Sequence, residues 1–125
     1  MTENELSRIV VDVAYHVHFR LGPGLMESVY EEIMCHELRK RGLLVERQKP
    51  VPVYWDDLKM DIGFRADLVI DNKLIIELKS VEELNAVHFK QLLTYLKVSD
   101  MKLGLLINFN EQRIRDGISR VVNGL

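Results

Sequence analysis

The chain has one cysteine in 125 residues, three prolines, one tryptophan and no basic excess. Each shortage excludes something. A lone Cys35 closes no intrachain disulfide, and His36 beside it has no second ligand pair, so no zinc site of ordinary spacing is present. The helical surroundings of Cys35 suit a small core residue in a reducing compartment, and the expected location is cytoplasmic. The N-terminus, MTENELSRIV, starts acidic and has no continuous apolar run, so neither a signal peptide nor a membrane partner is expected. Seventeen Lys and Arg against nineteen Asp and Glu leave a net charge of −2, whereas proteins that hold a duplex mainly by neutralising phosphates carry surplus positive charge. Any contact with nucleic acid is then local, or shared with a second chain. Glycine-rich phosphate loops, G-x-S-x-G and H-E-x-x-H are all missing.

What is present is an ordinary globular composition, 47% apolar and 29% charged, on a length suited to a single domain over 1–125. Leu6, Ile9, Val10, Val13 and Val17 recur at helical steps and predict a helix over 5–19, with Thr2 or Asn4 as its cap. LGPG at 21–24 stops it, and a second helix follows over 25–41 with Gly42 as its end. Its basic last turn, LRKRG, is either a solvated helix end or a phosphate-contact patch. The period then changes to two: LLVERQ and VPVYW read as short strands, with Pro50 and Pro52 confining the latter to an edge or a bulge. Strands over 63–70 and 74–80, a helix over 83–98, a buried strand over 102–109 and a closing helix in EQRIRDGISRVVN complete the order ααβββ(β)αβα, an α/β layered domain.

The pair of strands at 63–80 carries a question. Three residues, Asp71-Asn72-Lys73, join them, and a three-residue loop pairs Ile70 with Leu74, Leu68 with Ile76 and Ala66 with Leu78, an apolar face throughout. The opposite face then gathers Asp67, Glu77 and Lys79. Two carboxylates held close repel unless a cation neutralises them, and Mg²⁺ or Mn²⁺ suits such oxygen ligands. With Lys79 beside them to orient a water, the patch fits metal-assisted phosphodiester hydrolysis. The competing reading is a solvated face in which Lys79 pairs with one acid. The following helix places His88, Gln91 and Tyr95 on one stripe, either a helix edge satisfying its own neighbours or a set of hydrogen-bonding groups for phosphate.

Taken in order, Asp67, Glu77-Leu78-Lys79 and Gln91-x-x-x-Tyr95 resemble the PD-(D/E)XK nuclease superfamily in its RecB-like branch. GLMESVY at 24–30 resembles the signature that names the GxxExxY protein family, and FRADLVI, IIELKS, HFKQLLTYLK and GLLINF are similar to its other blocks. The usual proline before the first acid is absent, with Arg65-Ala66 in its place. The resemblance implies a restriction-endonuclease-like core, a mixed open sheet flanked by helices. It implies that Asp67 and Glu77 ligate Mg²⁺ or Mn²⁺, with the Leu78 carbonyl as a third ligand and Glu27 completing the set. Lys79 then positions the water, while Gln91 and Tyr95 support the metal shell or contact phosphate. Tyr30 either braces the site or fills the core. The expected activity is a metal-dependent nuclease acting on DNA. The alternative is a non-catalytic module of the same fold that binds nucleic acid or a protein partner. A homodimer through the strand near Val51–Tyr54 and the closing helix is a further expectation, as is a protein partner that supplies specificity.

Overall fold

Thr2 and Glu5 cap the first helix reciprocally: each side chain accepts the other's backbone N–H at 3.2 Å. In the computed structural model, which describes residues 1–125, helix α1 runs Glu3–Leu21 and α2 runs Glu27–Lys40. The connection between them needs glycine, because Gly22 and Gly24 sit at φ +70° and +108°. Tyr30 staples that turn from inside α2. Its hydroxyl donates to the Gly22 carbonyl at 2.6 Å and accepts the Leu25 N–H at 3.2 Å, while its buried ring stacks on Phe109 at 4.4 Å.

Five strands form one sheet in chain order: β1 Val45–Trp55, β2 Leu58–Ile70, β3 Leu74–Lys79, β4 Leu103–Asn108 and β5 Ile118–Val122. All neighbours are antiparallel except β3 and β4, whose parallel pairing is bridged by helix α3, Ala86–Ser99. Alternation along the strands divides the core between two faces. Leu68, Ile70, Leu74, Ile76, Leu105 and Ile107 pack under α1 and α2, while Val69, Ile75 and Leu106 meet Leu92 and Leu96 of α3 on the other side. At roughly 25 cal/mol per Å² of apolar surface, each fully buried leucine or isoleucine here contributes about 1.5–3 kcal/mol.

The β2–β3 hairpin has the register its loop length predicts, with Ile70↔Leu74, Val69↔Ile75 and Leu68↔Ile76 paired. Two loop residues are left-handed rather than one: Asp71 at φ 49° and Asn72 at φ 56°, closed by the Lys73 N–H to the Ile70 carbonyl at 2.9 Å.

Other expectations need correction. VERQ of LLVERQ and the whole of VPVYW belong to one long edge strand, β1, with a register shift between Val51 and Val53, so the parenthesised fourth strand does not exist. Ala66 does not share the Leu68 face. It packs with Val51, Phe64 and Leu92, because alternation slips where β2 leaves β3, and the ladder ends at Leu68↔Ile76 before an Ala66–Leu78 pair forms. The closing helix is absent as well: Ile114–Gly117 is a 3-10 turn, and Ile118–Val122 pairs antiparallel with β4. Gly117 is poor in a helix, β-branched Ile118, Val121 and Val122 suit a strand, and the open side of β4 offers a ladder that a helix could not fill. A dimer contact through that helix therefore has no basis.

Candidate functional site

Where β2 parts from β3, two side chains take over from the backbone ladder. The Asp67 N–H donates to Glu77 Oε2 at 3.0 Å, and the Leu78 N–H donates to Asp67 Oδ2 at 2.8 Å. Each acid is thus held by the backbone of the opposing strand, and Leu78 contributes its N–H to Asp67. Glu77 is only 6% exposed. Burial, and then the neighbouring Asp67 charge, push its carboxyl up to about 9, a rise that Lys79 partly offsets. Lys79 follows on the same strand face, half-buried, and forms no direct ion pair with either acid. The reading in which Lys79 simply neutralises one of them as a surface pair is not what the side chains do.

Helix α3 brings Tyr95 over this opening. Its ring stacks on Phe64 of β2 at 3.9 Å and 6°, and its hydroxyl is raised by burial and by the charges of Glu77 and Asp67. Gln91, one turn earlier, is exposed. His88 leaves the stripe to cap its own helix, its Nδ1 accepting the Asn85 N–H at 3.1 Å.

Glu27 begins α2 on the exposed rim. Its Oε2 accepts the Ser80 N–H at 3.3 Å, and the Ser80 hydroxyl donates to the Leu25 carbonyl at 2.7 Å. The α1–α2 turn is thereby moored to the residue after Lys79, beside an open groove of about 570 Å³ lined by Met26, Glu27, Ser80 and Asn110 among others. Glu27 is not gathered with the acid pair, and no three His, Cys, Asp or Glu side chains converge.

Four further residues build the site, and three of them, Asn108, Arg47 and Gln48, carried no sequence signal. Asn108, wholly buried on β4 opposite Lys79, accepts the Val81 N–H at 3.1 Å and donates to the Val81 carbonyl at 2.9 Å, fixing the chain just beyond Lys79. Buried Glu31 accepts from Arg47 Nε at 2.7 Å and from Gln48 Nε2 at 2.5 Å, and the same Gln48 nitrogen donates to Asp67 Oδ1 at 3.2 Å. Only Glu31 had a pointer, lying one turn after Glu27 on the same helix.

Sheet order, crossover helix and an acid pair at the opened strands together define a restriction-endonuclease-like protein. Comparison with known families agrees over nearly the whole chain: residues 4–121 match the PD-(D/E)XK nuclease superfamily, and the chain belongs to it. The protein is therefore of nuclease type. No curated protein and no solved structure matches it. No helix is long and apolar enough to cross a membrane.

Nucleases of this superfamily typically use divalent metals, and the donor set here fits one. Asp67 and Glu77 offer hard carboxylate oxygens from adjoining strands, and a bound dication would offset both the burial and the Asp67 repulsion that hold Glu77 protonated.

Proposed function

We propose that the chain is a metal-dependent nuclease that hydrolyses phosphodiester bonds in DNA, with residues 1–125 acting as one domain. The observation that carries this reading is the reciprocal seating of Asp67 and Glu77 on each other's strand at the point where the β2–β3 ladder opens. Mg²⁺ or Mn²⁺, when bound there by Asp67, Glu77 and the Leu78 carbonyl, supplies positive charge for the phosphoryl oxygens and lowers the pKa of the attacking water. Lys79 orients that water from the same strand face. Tyr95 and Gln91 hydrogen-bond phosphate oxygens from above, and Glu27 closes the rim through Ser80. Such roles suit the RecB-like branch. Membership of the GxxExxY family is supported by distinct tasks for its three signature positions: Gly24 takes a left-handed turn, Glu27 moors Ser80, and Tyr30 ties the turn to α2.

The test is cleavage of single- and double-stranded DNA and RNA with Mg²⁺ or Mn²⁺. Lys79→Ala and Asp67→Asn are each expected to lose about 10²–10⁴-fold in rate. Unchanged activity in both variants would identify a contaminating nuclease and sink the proposal.

A second reading, a non-catalytic module that binds nucleic acid or a protein partner, is favoured by one observation: no third acid joins the pair. An inert wild type that still binds an oligonucleotide would decide for it. β1 leaves one sheet edge open, and a homodimer across that edge would present two sites to one duplex. Buried, unpaired Cys35 suits a reducing cytoplasmic setting.

A further inference from the structure

We propose that Gln48 is a positioning residue that locks the Asp67 carboxylate, acting through the ion pair between buried Glu31 and Arg47. The inference rests on the nuclease reading for its purpose, but not for its geometry. In the β1–β2 ladder Arg47 pairs with Leu68 and Lys49 with Ala66, so Gln48 lies directly opposite Asp67. There its backbone takes a left-handed conformation, φ 50°. Glycine adopts that conformation freely and asparagine tolerates it, whereas glutamine does so against its preference. What glutamine adds is an amide with reach.

The two hydrogens of that amide nitrogen serve two carboxylates, Glu31 Oε1 at 2.5 Å and Asp67 Oδ1 at 3.2 Å. Both neighbours can only accept, which dictates that nitrogen rather than oxygen faces them. Glu31 is itself fixed by Arg47, which supplies the compensating positive charge. Asp67 Oδ2 is held from the other strand by the Leu78 N–H. With one donor on each oxygen the carboxylate is held against rotation, and the second donor adds no positive charge that would compete with a cation. A strained conformation at the residue that faces an acid of the site is the pattern expected where geometry serves function rather than stability.

The test uses the full chain with Gln48→Gly, which relieves the strain but removes the amide, and Gln48→Asn, which tolerates the conformation but falls short of both acids. The first readout is the Leu78 amide by NMR without metal or substrate. In both variants its resonance is expected to shift and its exchange with solvent to quicken by about 10-fold or more, while thermal stability of the glycine variant equals or exceeds that of wild type. The second readout is Mn²⁺ affinity by calorimetry, expected to fall about 10–100-fold. An unchanged Leu78 amide in either variant overturns the proposal, as does unchanged Mn²⁺ affinity. Because the amide readout needs no turnover, a wild type that cuts nothing while Gln48→Gly still loosens Asp67 would refute the nuclease reading alone.

Discussion

At residue scale the decisive feature is a buried acid kept protonated by its surroundings. Glu77 has its carboxyl raised from 4.5 to about 9, first by burial and then by Asp67. The folded protein therefore binds more protons than the unfolded chain between those values. Its contribution to stability is full below about pH 4.5 and is lost as pH rises through about 9 in the absence of metal. Glu77→Gln, which mimics the neutral acid, is expected to grow more stable relative to wild type across that window, by at most about 1.4 kcal/mol per pH unit. Paired thermal melts in chelator from pH 5 to pH 9 check this. A difference that does not vary with pH would mean that Glu77 titrates normally. Asp67, Glu77 and Lys79 were legible in the sequence because strand alternation and loop length are local. Gln48 was not, since nothing in ERQKP reveals that it will face Asp67 across a strand pair.

At the scale of elements, the β1–β2 hairpin shows how one small residue sets local geometry. The register shifts near Val53, and a Cβ on Gly63 would lie 2.7 Å from the Val53 Cβ, too close for side-chain motion alone to relieve. Gly63→Ala is expected to destabilise by about 1–3 kcal/mol in urea unfolding. Paired with Val53→Ala, it should cost less than the sum of the two single changes by about 0.5–3 kcal/mol. Simple additivity would show that the contact does not govern the bulge. All three helices, the buried β4 strand and the turn at 71–73 could be read from period and turn chemistry. The segment 111–123 could not. Ile114, Ile118 and Val121 fit a helical face, and only the unfilled side of β4 makes ISRVV a strand. Ala66 was misplaced for a similar reason, because the slip in alternation comes from strands that part around two acids.

For the whole molecule, the sheet separates two apolar packings and opens at their shared boundary, where α2, β1, β2, β3 and α3 each contribute to the site. A net charge of −2 leaves little long-range attraction for phosphate, and a cation held at the acid pair would supply local positive charge. Titrating Mn²⁺ into the metal-free protein at pH 7, in buffers of differing ionisation enthalpy, probes this most directly. One ion per chain is expected, with roughly one proton released as Glu77 ionises, and with binding lost in Asp67→Asn and Glu77→Gln. Absence of binding to wild type, or equal binding in both variants, would contradict a metal site at the opened strands.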